Sequence, residues 1–133
     1  METMDIYTDG SYSSATEIVA WGFVHNGKGY SGIVTDPEAC SMLNVAGELA
    51  AVMQAISFAI KLRRKNVTIY HDYVGVEAWA TGKWKAKKLS VQSYVEFMNN
   101  IHDKIDVNFV KISSHNNPAD IVARAKSGAG PKQ

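Results

Sequence analysis

The stretch Met4-Asp5-Ile6-Tyr7-Thr8-Asp9-Gly10-Ser11 decides how the rest of the chain is read. Its alternating side chains are those of a half-buried strand, and Asp9-Gly10 reads as a tight turn that ends it. Asp9 is therefore expected at a strand's carboxyl end. In open α/β sheets ligands and metals collect there, where the strand order reverses. Asp-Gly turns are common, and on that plainer reading Asp9 is a turn carboxylate. Its company makes the difference, because three later segments each bring a carboxylate that a compact α/β fold could carry to the same place.

Working outward, residues 16–25 are rich in β-branched and aromatic side chains and read as a second strand. Asn26-Gly27-Lys28-Gly29 is a hairpin turn, and Tyr30 to Thr35 returns as a third strand. Residues 36–42, with Asp36-Pro37, read as a loop. From Leu43 to about Lys65, Val45, Leu49, Val52, Met53, Ile56 and Ile60 recur at helical spacing and define one buried face. Glu48 falls at the margin of that face, beside Val52, Ala55 and Ala59. It is either a snorkelling surface residue or a group aimed into a site edge, and position alone favours the former.

Arg63-Arg64-Lys65-Asn66 complements the helix dipole and ends the helix. Val67 to Asp72 is then a fourth strand, reached through a helix and so expected parallel to the first. Two parallel strands that both finish in aspartate put Asp9 and Asp72 at the same end of the sheet. The plainer reading of Asp72 is an amino-terminal cap for a helix from Tyr73 to about Ala80. Lys83, Lys85, Lys87 and Lys88 surround Trp84, a mixture suited to phosphates and a sugar or base face, or else a solvated loop whose tryptophan packs down on the fold. Tyr94, Phe97, Met98 and Ile101 mark another helix from Ser90 to about Lys104, and Val107 to Ile112 a fifth strand. This order implies an α/β fold: a five-stranded mixed sheet with helices on both faces.

In Ser113-Ser114-His115-Asn116-Asn117-Pro118-Ala119-Asp120, Asn117 is a helix cap and Pro118 suits the first helical position. Asp120 then lies in the first turn, where acids are ordinary dipole partners, and His115 could be a plain loop histidine. The segment after Lys126, Ser-Gly-Ala-Gly-Pro-Lys-Gln, has the composition of a flexible tail.

The 133 residues, 46% hydrophobic and 20% charged, fit a single domain over 1–126 with a tail over 127–133. A net charge of +1 means that a nucleic-acid partner would depend on local clusters of Lys and Arg. Cys40 is the only cysteine, which excludes an intramolecular disulfide and a cysteine-based zinc site and suits a reducing, cytoplasmic setting. Neither a signal peptide nor a membrane span is expected.

These pieces together resemble type 1 ribonuclease H, from Met4 to about Lys126. Tyr-x-Asp-Gly-Ser matches at Tyr7 to Ser11, Gly-Glu-x-x-Ala at Gly47, Glu48 and Ala51, and the strand ending in aspartate at Asp72. His115, Asn116, Ala119 and Asp120 match the terminal pattern. Each motif alone is weak; four in order on the expected elements are strong.

The resemblance implies a ribonuclease H-like fold and a two-metal endonuclease that cuts the RNA strand of RNA/DNA hybrids, leaving 5′-phosphate and 3′-hydroxyl ends. Asp9, Glu48, Asp72 and Asp120 would hold two Mg²⁺ ions, replaceable by Mn²⁺, with Asp9 bridging. His115 would assist proton transfer or product departure. Gly10, Ser11, Asn44, Gly47, Lys83, Trp84, Lys85 and Asn116 would contact substrate, with Asn44 and Glu48 near the 2′-hydroxyls that distinguish RNA from DNA. The chain is expected to act as a monomer, with a reduced basic loop and no preceding hybrid-binding domain. Two readings of the same fold stand beside this one: a binding module with little turnover, and a nuclease of altered duplex preference. A small-molecule site on a generic α/β scaffold lacks the Gly-rich phosphate loop expected after the first strand.

Overall fold

The computed structural model describes residues 3–130. Strand β1 (Met4–Ser13) is the centre of a five-stranded sheet. It pairs antiparallel with β2 (Ile18–His25), which pairs antiparallel with β3 (Lys28–Val34). On its other side β1 runs parallel to β4 (Asn66–His71), and β4 parallel to β5 (Asp106–Lys111). The spatial order is β3-β2-β1-β4-β5. Among the described residues five α-helices accompany the sheet: α1 (Pro37–Cys40), α2 (Asn44–Lys61), α3 (Val74–Ala80), α4 (Leu89–Ile101) and α5 (Ala119–Ser127). No helix among the described residues is long and apolar enough to cross a membrane.

Strand alternation divides the two faces. Met4 and Ile6 point to one side, where they meet Leu49, Val52 and Ile56 of α2, Val76 of α3 and Tyr94 of α4 in one core. Each such side chain, once buried, contributes about 1.5–3 kcal/mol. Ser11, of opposite parity, faces α5, and its hydroxyl lies 2.9 Å from that of the buried Ser127. Helix α5 thus covers β1, β2 and β3 from the far side.

The expected turn at Asp9-Gly10 does not form. β1 continues to Ser13 and reverses only at 14–17, where Glu17 takes a φ of 58° and its N–H bonds the Ser13 carbonyl at 2.7 Å. Gly10 is there for a tertiary reason, since a Cβ would run into the backbone of Gly47 and Glu48 in α2. Asp9 nevertheless lies just past the carboxyl end of the parallel pair. The parallel ladder with β4 ends at Tyr7 and Tyr70, while antiparallel pairing with β2 runs on through Asp9 and Gly22.

Other boundaries shift for local reasons. The hairpin turn is only Asn26-Gly27, both at positive φ, with Lys28 and Gly29 already in β3. The expected loop at 36–42 contains α1, capped by the Asp36 carboxylate accepting from the Glu38 N–H at 3.2 Å. Helix α2 stops at Lys61 rather than Lys65. Arg63 turns left-handed at φ 59°, and the Arg64 N–H reaches back to the Ala59 carbonyl at 3.0 Å. Residues 127–130, expected in a flexible tail, close α5 instead: Ser127 is buried, and the N–H groups of Gly128 and Ala129 both bond the Arg124 carbonyl. The rest of that expected tail, 131–133, lies outside the described residues.

Candidate active site

Three carboxylates converge where β1, α2 and β4 meet. One oxygen each from Asp9, Glu48 and Asp72 lies within 4.8 Å of the others. Asp9 comes from β1 just beyond the parallel ladder, and its Oδ1 accepts the Gly10 N–H at 2.9 Å. Asp72 follows β4 and does not cap α3; the residue at that boundary is Tyr73, and no side chain caps the helix. Its Oδ2 instead accepts from the Asn117 amide at 3.0 Å.

Glu48 is no snorkelling surface residue. It is only 4% exposed, as is Asp9. The buried stripe of α2 is centred on small residues, with Ala46, Gly47, Ala51, Ala55 and Ala59 all buried, while Val45, Met53 and Ile60 are only partly so. Small side chains let the helix lie directly on the sheet. The face that touches β1 therefore carries Glu48 with it.

Burial governs the electrostatics. The Asp9 carboxyl is pushed up from 3.8 to about 6, first by burial and then by the charges of Asp72 and Asp120; Glu48 and the Gly10 N–H offset part of this. Glu48 is raised well above the usual carboxylate range, again by burial first and then by Asp9 and Asp72. The Glu48 Oε2 atom is buried with no hydrogen-bond partner among the described residues. A set of hard oxygen donors that repel one another, one of them orphaned, fits a divalent cation such as Mg²⁺ or Mn²⁺.

Asp120 sits in the first turn of α5 and lines the same cleft, of about 330 Å³, without joining the tight group of three. His115 lies on a 3₁₀ turn (Ser114–Asn116) and is exposed. With Asn116 it lines an adjoining groove rather than the acidic cleft. Gly10, Ser11 and Asn44 do line the cleft, although the Ser11 hydroxyl is engaged with Ser127. Gly47 is a packing position, pressed against the Ala20 carbonyl and Gly10.

Asn44 also borders a second depression, of about 460 Å³, with Tyr73, Trp79, Lys85, Lys87 and Lys88. Lys83 is not among its lining residues. Trp84 meets Tyr73 and Trp79 edge-on at 6.3 and 5.5 Å between centroids, and keeps part of its surface in solvent. It is thus both packed and accessible. Just before Asn44, Leu43 holds a φ of 55°, a strained conformation for a branched residue beside the cleft.

Asn117 is read from sequence only as a cap, and its larger part in the site is visible only in three dimensions. It is 4% exposed. Its amide nitrogen donates to the Thr8 carbonyl at 2.8 Å as well as to Asp72, while Oδ1 accepts the Ala119 N–H at 3.1 Å. One side chain thus ties β1, the end of β4 and the start of α5 together. Asn117→Ala is expected to destabilise the fold by about 2–3 kcal/mol, combining a lost cap with an unsatisfied buried carbonyl, as read by urea denaturation. Nothing in the local sequence, beyond its place before Pro118, signals the bonds to Thr8 and Asp72.

Comparison with known proteins places this geometry. The family model described as RNase H matches residues 1–127. None of the curated proteins matches. Among solved structures, the RNase H1 of the halophilic archaeon Halobacterium salinarum superposes with a TM-score of 0.77 at 16% identity, covering 97% of this chain and 100% of that one. The N-terminal RNase H domain of a Mycobacterium tuberculosis protein gives a TM-score of 0.77 at 16% identity, with 96% of each chain covered. An RNase H1 isolated from compost, solved in complex with an RNA/DNA hybrid, gives 0.77 at 18% identity over 96% of this chain and 98% of that one. At such identities the superpositions establish the shared five-stranded fold. The family match goes further and covers both aspartate-bearing strands and α5, so the chain belongs to the RNase H family.

Proposed function

We propose that this protein is a metal-dependent endonuclease that hydrolyses the RNA strand of RNA/DNA hybrids. The observation that carries the reading is the close group of Asp9, Glu48 and Asp72, the first two buried, with the Glu48 Oε2 unpartnered among the described residues. Family membership and the hybrid-bound relative support the substrate class. Asp9, Glu48 and Asp72 would hold the cations, with Asp120 at the rim of the same cleft. Bound there, two Mg²⁺ or Mn²⁺ ions would supply an activated water and stabilisation of the leaving 3′ oxygen.

The chain's own residues supply the positioning. Glu48, buried at the cleft floor, and Asn44, exposed at its edge, flank the place where a ribose would lie, and a 2′-hydroxyl can both donate to and accept from such groups. Asn44 also borders the depression with Lys85, Lys87 and Lys88, suited to the backbone of the second strand. Asn117 holds Asp72 in place through its amide. His115, on the exposed turn beside Asp120, is a candidate for proton transfer with product departure, and its place in the neighbouring groove suits the second of these better.

The test is cleavage of a labelled hybrid in Mg²⁺, beside single-stranded RNA, double-stranded RNA and duplex DNA, with EDTA controls. Cutting confined to the RNA strand of the hybrid and lost in EDTA is the expected result. A folded sample that leaves the hybrid intact in both Mg²⁺ and Mn²⁺ would reduce the protein to a binding module.

A further inference from the structure

The groove beside the acidic cleft is the larger of the two, about 900 Å³ against 330 Å³, and the proposed cleavage chemistry makes little use of it. The two share Ser114, Asp120 and Arg124, so one depression runs into the other. Arg124 is the one Lys or Arg lining either, among the described residues.

Among the described residues its guanidinium is held in place and meets no carboxylate. Nε donates to the Gly130 carbonyl at 2.8 Å. That carbonyl is brought round by the end of α5, where Gly128 at φ 83° and Gly130 at φ 78° fold the chain back. Asp120 lies one helical turn before Arg124, yet Arg124 forms no ion pair among the described residues. A guanidinium has five N–H donors in a rigid fork, and here only Nε has a protein acceptor among those residues. The remaining donors belong to a half-buried side chain bordering both cavities.

The geometry points to a second backbone subsite: the cleaved strand continues from the acidic cleft into this groove, where Arg124 grips the phosphate next to the scissile one. This rests on the nuclease reading and adds a contact to it. A planar fork matches two phosphate oxygens, which a lysine does not. The groove's floor suits the rest of a nucleotide, because Pro118, Ile121 and Ala125 present apolar surface and Ile121 is 75% exposed. Asp120 at the junction would repel a phosphate, and the tethered cation beside it offsets that charge.

The experiment measures binding against salt on an Asp9→Asn background, chosen to prevent cutting, with RNA/DNA hybrid, double-stranded RNA and duplex DNA as probes. Arg124→Ala should weaken binding about tenfold and reduce the slope of log K against log salt by about 0.9, the contribution of one phosphate on a duplex. Arg124→Lys should recover the slope and not the affinity. On the otherwise wild-type enzyme, Arg124→Ala should raise KM with kcat within about twofold, since the lost contact is made equally in ground and transition states. An unchanged slope in folded Arg124→Ala, or in Arg124→Lys an affinity fully restored, overturns the subsite. Should Arg124→Ala fail to fold, Arg124→Lys carries the test through its affinity. If another duplex binds in place of the hybrid, the hybrid reading fails while Arg124 is judged on that duplex; if none binds, both fall.

Discussion

Asp9→Asn is expected to abolish hybrid cleavage and at the same time to make the metal-free protein more stable. The activity falls by about 10³-fold or more, because the substitution removes a charged ligand from the centre of the cluster and with it several kcal/mol of transition-state stabilisation. Stability moves the other way. The Asp9 carboxyl is raised from 3.8 to about 6 in the fold, so at neutral pH ionising it costs about 2–3 kcal/mol relative to the unfolded chain. Asparagine keeps the shape without the charge.

The sign sets the pH dependence. Between pH 3.8 and about 6 the folded protein keeps a proton that the unfolded chain has released. Stability of the metal-free wild type therefore declines as pH rises through that window, and Glu48, raised by the same burial, extends the decline upward. In Asp9→Asn the decline shrinks. Mg²⁺ should stabilise the wild type more than the variant, as a ligand that binds the native state does. Urea denaturation at pH 4.5 and 7, with EDTA or Mg²⁺, reads all of this. A variant that is less stable than wild type in EDTA at pH 7, or that still cuts, would remove Asp9 from the cation site.

The second large effect is steric. Gly47→Ala should destabilise the protein by about 3 kcal/mol or more, although Gly to Ala inside a helix ordinarily stabilises by about 1 kcal/mol. The sign alone is diagnostic. A methyl group at Gly47 would meet the Ala20 carbonyl, the Gly10 Cα at 2.9 Å and the Ser11 nitrogen at 3.1 Å, all backbone atoms that cannot rotate away. Gly10→Ala should behave the same way from the other side of the contact. Because Glu48 adjoins Gly47, lifting α2 from the sheet also moves a cation ligand, and residual activity should fall further than stability. A Gly47→Ala protein as stable as wild type in chemical denaturation would mean that α2 does not rest directly on β1 and β2.

The elements themselves were legible because their signals are local. The strands expected at 16–25 and 107–112 formed within two residues of those bounds, and the helix carrying Glu48 emerged within four residues of its expected limits. The two misreadings at the site share a cause. Asp9-Gly10 has the local chemistry of a turn, but Gly10 serves a helix almost forty positions later in the chain. Periodicity puts Glu48 at the margin because it weighs large apolar side chains. The true contact face also includes Ala46, Gly47 and Ala51 beside Leu49, Val52 and Ile56, and the value of the small residues lies in what they leave room for.

By itself the sequence determined the strand and helix order, the parallel placing of β4 beside β1, and the carboxylates available at that end of the sheet, because hydrophobic period and crossover rules act on short windows. The tertiary structure alone decided which of those carboxylates converge and in what state. Close packing at Gly10 and Gly47 buries Glu48 beside Asp9; the amide of Asn117 draws Asp72 toward them; and desolvation raises the Asp9 and Glu48 carboxyls. Burial and distance are properties of the assembled fold, and they turn separate acids into a site that fits a cation.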